Sequence, residues 1–92
     1  MVVGPGFAPL FNGVVPPNGF MVQLNGSSEF GDICWVNDNG PATPNPPTGF
    51  LVGGLFSNTP LPFTFVTPPG YKPIGPVSIW CNNSLYIETR GW

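Results

Sequence analysis

Val77-Ser78-Ile79-Trp80-Cys81-Asn82-Asn83-Ser84-Leu85-Tyr86-Ile87-Glu88-Thr89-Arg90 decides the fold class. Outside this stretch no window of about a dozen residues escapes Pro or Gly, so a helix has room to form only here. The stretch does not read as one. Val77, Ile79 and Cys81 alternate with Ser78 and Trp80, and Leu85 and Ile87 alternate with Tyr86 and Glu88, which is the two-residue period of strands. Asn82-Asn83 between them tolerates the positive φ of a type I′ turn. The stretch therefore predicts a closing β-hairpin, with Trp80 and Tyr86 paired across its outer face. An all-β chain follows.

Towards the N-terminus the same signal recurs in short pieces. Strands are expected at 19–24, with Phe20, Val22 and Leu24 on one face, and at 32–36. Two more are expected at 50–56, interrupted by Gly53-Gly54, and at 62–66. Asn25-Gly26-Ser27-Ser28 and Thr67-Pro68-Pro69-Gly70 read as turns. Residues 37–48 form a polar loop with four prolines, long enough to suggest contact with a partner. Asn37-Asp38-Asn39-Gly40 lacks the later ligands and the bidentate Glu of a calcium loop and is read as an Asx-type turn. Residues 1–18, with Pro5, Pro9, Pro16 and Pro17, are expected as an extended arm leaving a β-sandwich domain at 19–92. Phe7, Leu10 and Phe11 on that arm need burial against a neighbour. Short strands cut by turns argue for a sandwich, jelly roll or barrel.

Six residues are charged, Glu29, Asp32, Asp38, Lys72, Glu88 and Arg90, or 7% of the chain; soluble domains carry about 25%. A surface so poor in charge suits a protein covered by copies of itself or by a partner, so a homo-oligomer is expected. Two basic residues and a net charge of −2 exclude a nucleic-acid partner. No apolar run approaches the ~20 residues of a membrane span, and Met1-Val2-Val3-Gly4-Pro5-Gly6 lacks a signal peptide's basic start. The chain is therefore expected to act where it is made or on a particle assembled there. With no His, a single Lys and no serine beside a base, it reads as a non-enzyme with no cofactor or metal. For Cys34 and Cys81 two readings stand, a bridge or two buried thiols. Reduced thiols are expected, because two cysteines make no disulfide framework. Trp35, Trp80, Tyr86 and Trp92 are candidates for an oligomer interface or for stacking on a sugar.

Pro62-Phe63-Thr64-Phe65-Val66-Thr67-Pro68-Pro69-Gly70-Tyr71-Lys72-Pro73, followed by strands at 76–81 and 84–89 and then Gly91, resembles the closing segment of bacteriophage fibre-tip and head-fibre domains. In those domains a strand enters a leucine-proline-x-glycine-tyrosine-arginine-proline turn, and two strands follow, the last ending in glycine. Pro69-Gly70-Tyr71-Lys72-Pro73 matches that turn with Lys72 in the arginine position. The resemblance implies a small jelly-roll or tumour-necrosis-factor-like β-sandwich that works as a homotrimer on a virion. Fibre tips follow a long shaft or coiled coil, and residues 1–92 contain neither, so a free-standing subunit is expected. The expectation is therefore a capsid decoration (cement) protein, assembled in the host cytoplasm onto the capsid surface. Phe7, Leu10 and Phe11 would grip the major capsid protein. The alternative is a tail-fibre tip binding a receptor or carbohydrate through Trp35, Tyr71, Trp80, Tyr86 or Trp92. A secreted lectin-like domain is a third reading and would need the Cys34–Cys81 bridge.

Overall fold

The computed structural model describes residues 1–24, 32–53, 55–56, 59–60 and 64–92. The expected turn at 25–28, Glu29, Gly54 and Phe63 lie outside them. The described strands, in chain order, are β1 Val2–Val3, β2 Gly6–Pro9, β3 Phe20–Leu24, β4 Ile33–Asn37, β5 Thr43–Pro44, β6 Pro47–Thr48, β7 Phe50–Gly53, β8 Leu55–Phe56, β9 Thr59–Pro60, β10 Thr64–Val66, β11 Ser78–Cys81 and β12 Leu85–Gly91. A 3₁₀ turn at Phe11–Gly13 is the one helical element among the described residues.

Eight strands form two four-stranded antiparallel sheets. Sheet I runs β1-β12-β3-β10 and sheet II runs β2-β11-β4-β7; β5–β6 and β8–β9 are small separate ladders. The strand alternation seen in the sequence sets the packing. Val3, Phe20, Val22, Leu24, Leu85 and Ile87 from sheet I meet Cys34, Val36, Val52, Ile79 and Cys81 from sheet II in one buried cluster. Each large side chain removed from water there contributes about 1.5–3 kcal/mol before entropy is counted. Phe50 of β7 stacks on Phe65 of β10 at 4.3 Å and Phe65 lies 5.7 Å from Phe20, which closes one open side of the sandwich.

The closing hairpin does not form. β11 lies in sheet II between β2 and β4, whereas β12 lies in sheet I between β1 and β3. Asn82 prolongs the β11–β4 pairing: its N–H donates to the Ile33 carbonyl at 3.1 Å, and its Oδ1 accepts from the Ile33 N–H at 3.0 Å. The chain then crosses to the opposite sheet. Trp80 and Tyr86 consequently sit on opposite outer faces, Trp80 in register with Phe7 and Trp35, and Tyr86 with Val2. Alternation says which side of a strand is apolar. It does not say which of two sheets facing one core the strand joins.

Residues 1–18 do not leave the β-core. They supply one edge strand of each sheet, β1 against β12 and β2 against β11. The Met1 ammonium donates to the Ile87 carbonyl and the Ile87 N–H donates to the Met1 carbonyl, both at 2.9 Å. Val3 and Leu10 belong to the buried cluster. The prolines that argued against ladder pairing are tolerated because edge positions leave one side of the strand without a partner.

Cys34 and Cys81 are buried, as expected, but bridged rather than reduced. They are directly opposite in the β4–β11 register, with Cα atoms 4.1 Å apart, and both point into the core. Side chains on opposed inward positions of neighbouring antiparallel strands meet at this spacing.

Candidate functional site: the loop end and the two outer faces

The strand registers gather three connections, 10–19, 38–49 and 67–77, at one end of the sandwich. Pro9, Ser78 and Asn37 align there in sheet II, and Phe20 with Gly91 and Met21 with Val66 in sheet I. The Pro-Gly corner forms as its residues dictate. The Tyr71 N–H donates to the Pro68 carbonyl at 3.1 Å across Pro69 and Gly70, and Gly70 has φ +82°, the left-handed position a type II turn needs. The corner then reaches across to the neighbouring loop. The Tyr71 hydroxyl donates to Asp38 Oδ2, and the Ile74 N–H donates to the same oxygen at 3.1 Å. The hydrogen bond to Asp38 pushes the Tyr71 hydroxyl pKa up to about 12, with burial and the Asp38 charge adding to the effect. Asn37 makes the expected Asx turn, its Oδ1 accepting from the Asn39 N–H at 2.9 Å.

Trp92 closes the same end. Its N–H donates to the Gly19 carbonyl at 3.1 Å, and its carbonyl accepts from the Asn18 N–H at 2.6 Å. Gly19 has φ +124°, and a Cβ there would lie 2.4 Å from Thr67 Oγ1, which accepts the Phe20 N–H. Beside Trp92 lies a hollow of about 350 Å³ walled by Phe11, Val14, Val15, Pro16 and Pro17. No charged side chain lines it. Phe11 and Asn12 both hold left-handed backbone, φ 56° and 53°, unusual for residues other than glycine. Phe11 packs edge-on against Phe20 at 6.1 Å, which anchors that conformation to the core.

The outer faces of the two sheets differ in chemistry. On sheet II, Phe7, Trp80, Trp35 and Leu51 fall in one register row across all four strands, and no residue of that face is charged. Phe7 is 55% exposed. Beside it opens a second hollow, about 270 Å³, walled by Pro9, Pro41 and Pro76. On sheet I, Glu88 aligns with Gln23 and Thr64, Arg90 with Met21 and Val66, and Tyr86 with Val2.

The candidate residues thus separate into three places. Tyr71, Trp92 and Phe11 share the loop end, Phe7, Trp35 and Trp80 share the outer face of sheet II, and Tyr86 stands on sheet I. Leu10 is fully buried and unavailable to a partner. Asp38 escaped the sequence reading as the acceptor of Tyr71. An acidic residue in a chain with so few was the available signal. Among the described residues no group of three or more His, Cys, Asp or Glu side chains is placed to hold a metal. No described helix is long and apolar enough to cross a membrane. Comparison with known proteins finds no matching family, no matching curated protein and no matching solved structure.

Proposed function

We propose that the chain is a structural protein of a phage virion, a capsid decoration (cement) protein that works as a homotrimer on the capsid surface. The observation that carries this reading is where the charges lie. Asp32 and Asp38 are buried, so among the described residues only Lys72, Glu88 and Arg90 bring charged side chains to the surface. Such a surface stays dispersed poorly on its own and suits a subunit that is covered in its working state. The strand order supports a jelly roll. Along the eight strands of the two sheets every connection except β4 to β7, which stays within sheet II, passes from one sheet to the other, the winding of two Greek keys. The Pro-Gly-Tyr-Lys-Pro corner, built and pinned by Asp38, supports the likeness to phage head-fibre and fibre-tip domains. The bridge meets the condition set by the secreted lectin-like reading, and it is compatible with a virion exterior too, since disulfides persist on virion surfaces after release from a reducing cytosol. No catalytic role is assigned, because Asp38 is engaged by Tyr71 and Ile74.

The test is to titrate capsid particles lacking the protein and follow occupancy and thermal rupture. Binding to the assembled shell and not to free capsid subunits is expected, with a higher rupture temperature and little dependence on salt. The second reading, a tail-fibre tip that binds a receptor or carbohydrate, is favoured by the apolar hollow beside the half-exposed Trp92. Saturable, sugar-specific binding on a glycan array, with no binding to capsids, would replace the first reading by the second.

A further inference from the structure

We infer that copies of this chain associate through the outer face of sheet II, with Phe7 of one copy seated in the proline-walled hollow of the next. The inference rests on the proposed self-association and names the surface that performs it. Three observations converge on a second copy as the occupant, and the area bounds how tightly it holds. The face carries an unbroken row, Phe7, Trp80, Trp35 and Leu51, with no charge to specify a charged partner and none to repel an identical face. Phe7 protrudes at one wall of a concave hollow of about 270 Å³, a knob and a socket on each copy that a head-to-tail contact can pass from one copy to the next. Pro5 and Pro9 bracket the edge strand β2, so beside Phe7 a neighbour is discouraged from adding as a further strand and meets the face instead.

Area sets the strength. Strands ~4.8 Å apart with a rise of ~3.3 Å per residue make this sheet face about 250 Å² in projection. A pair pressed together through it hides on the order of 500 Å², short of the ~1,000 Å² of a specific interface. Association through this face alone is therefore concentration-dependent. Closing a ring of copies adds the contacts that make it persistent.

The experiment is sedimentation equilibrium of the full, bridged chain from about 1 to 100 µM, a range that brackets interfaces of this size. Phe7→Glu is the test variant and Tyr86→Glu the control on the opposite face. Wild type is expected to associate. Phe7→Glu should weaken association at least about tenfold, and Tyr86→Glu by less than about threefold. Association that survives Phe7→Glu overturns the inference while leaving the oligomer intact. A wild type that stays monomeric throughout sinks the proposed self-association itself. If Phe7→Glu fails to fold, acrylamide quenching decides in a Trp92→Phe background, where Trp35 and Trp80 are the remaining reporters. Quenching that falls as concentration rises supports the face, and quenching independent of concentration in an associated sample overturns it.

Discussion

Sheets I and II are alike inside and unlike outside. Their inner faces are both apolar, Val, Ile, Leu and Phe from sheet I against Val, Ile and the bridged cysteines from sheet II, so burial makes no functional distinction between them. Outside, sheet I mixes Glu88, Arg90, Gln23 and Thr64 with the exposed Val2, Val66 and Tyr86. Sheet II carries the exposed Phe7 beside the half-buried Trp35, Trp80 and Leu51, with no charge among them. The uncharged face belongs to the sheet whose two central strands are joined by the bridge, so the platform under the proposed contact is the cross-linked one.

The largest way to break this contrast is to reduce the bridge. The cysteines are 47 residues apart, and opening the loop they close should cost about 4 kcal/mol. Calorimetry with and without reductant should show Tm falling by well over ~10 °C. A fall of only a degree or two would restore the buried-thiol reading. Next comes the N-terminal segment. Leu10→Ala removes a fully buried side chain and should cost about 2–5 kcal/mol in denaturant titration. Phe7→Ala, on the exposed side, should change the stability of the dissociated chain by less than about 1 kcal/mol. Equal losses would mean that the segment does not divide between core and surface.

Tyr71→Phe removes the hydroxyl from Asp38 and should cost about 1–3 kcal/mol. The folded pKa lies above the ordinary value of 10.0, at about 12, so the folded chain keeps a proton that the unfolded chain loses. This contribution to stability is fully present below pH 10.0 and is lost as pH rises towards about 12. Ultraviolet titration of tyrosinate should show one late-ionising tyrosine, and Asp38→Asn should bring it down. The smallest effects belong to the solvent face of sheet I. Glu88→Gln and Arg90→Gln should each move Tm by about 3 °C or less and leave association unchanged. A loss of association with either would move the contact to sheet I.

The strand pattern of this chain was legible where one side of a strand is buried. Phe20, Val22 and Leu24 face the core as their alternation says, and Pro69-Gly70 makes the turn its φ preferences demand. Three features were not legible, for one reason. The crossing at Asn82-Asn83, the Cys34–Cys81 bridge and the Asp38–Tyr71 bond all depend on which distant segments become neighbours. Local propensity is silent on that. A pair of Asn serves a hairpin and a sheet-to-sheet crossing equally well. Proline in the first residues looked hostile to any ladder because edge positions look no different from central ones in a single sequence.

The position of β12 has a consequence for how the protein is made. The strand at 85–91 lies between β1 and β3, so the first strand translated waits for one of the last to give it a partner. β2 likewise waits for β11. Ribosomes add about 5–20 residues each second, so Val3, Leu10 and Phe20 remain exposed to the cell for several seconds before the sandwich can close. Folding on the ribosome in stages is closed to such a chain, and its assembly is a single late event with a slow, long-range search. Truncation before β12 would therefore leave an aggregation-prone fragment in place of a smaller domain.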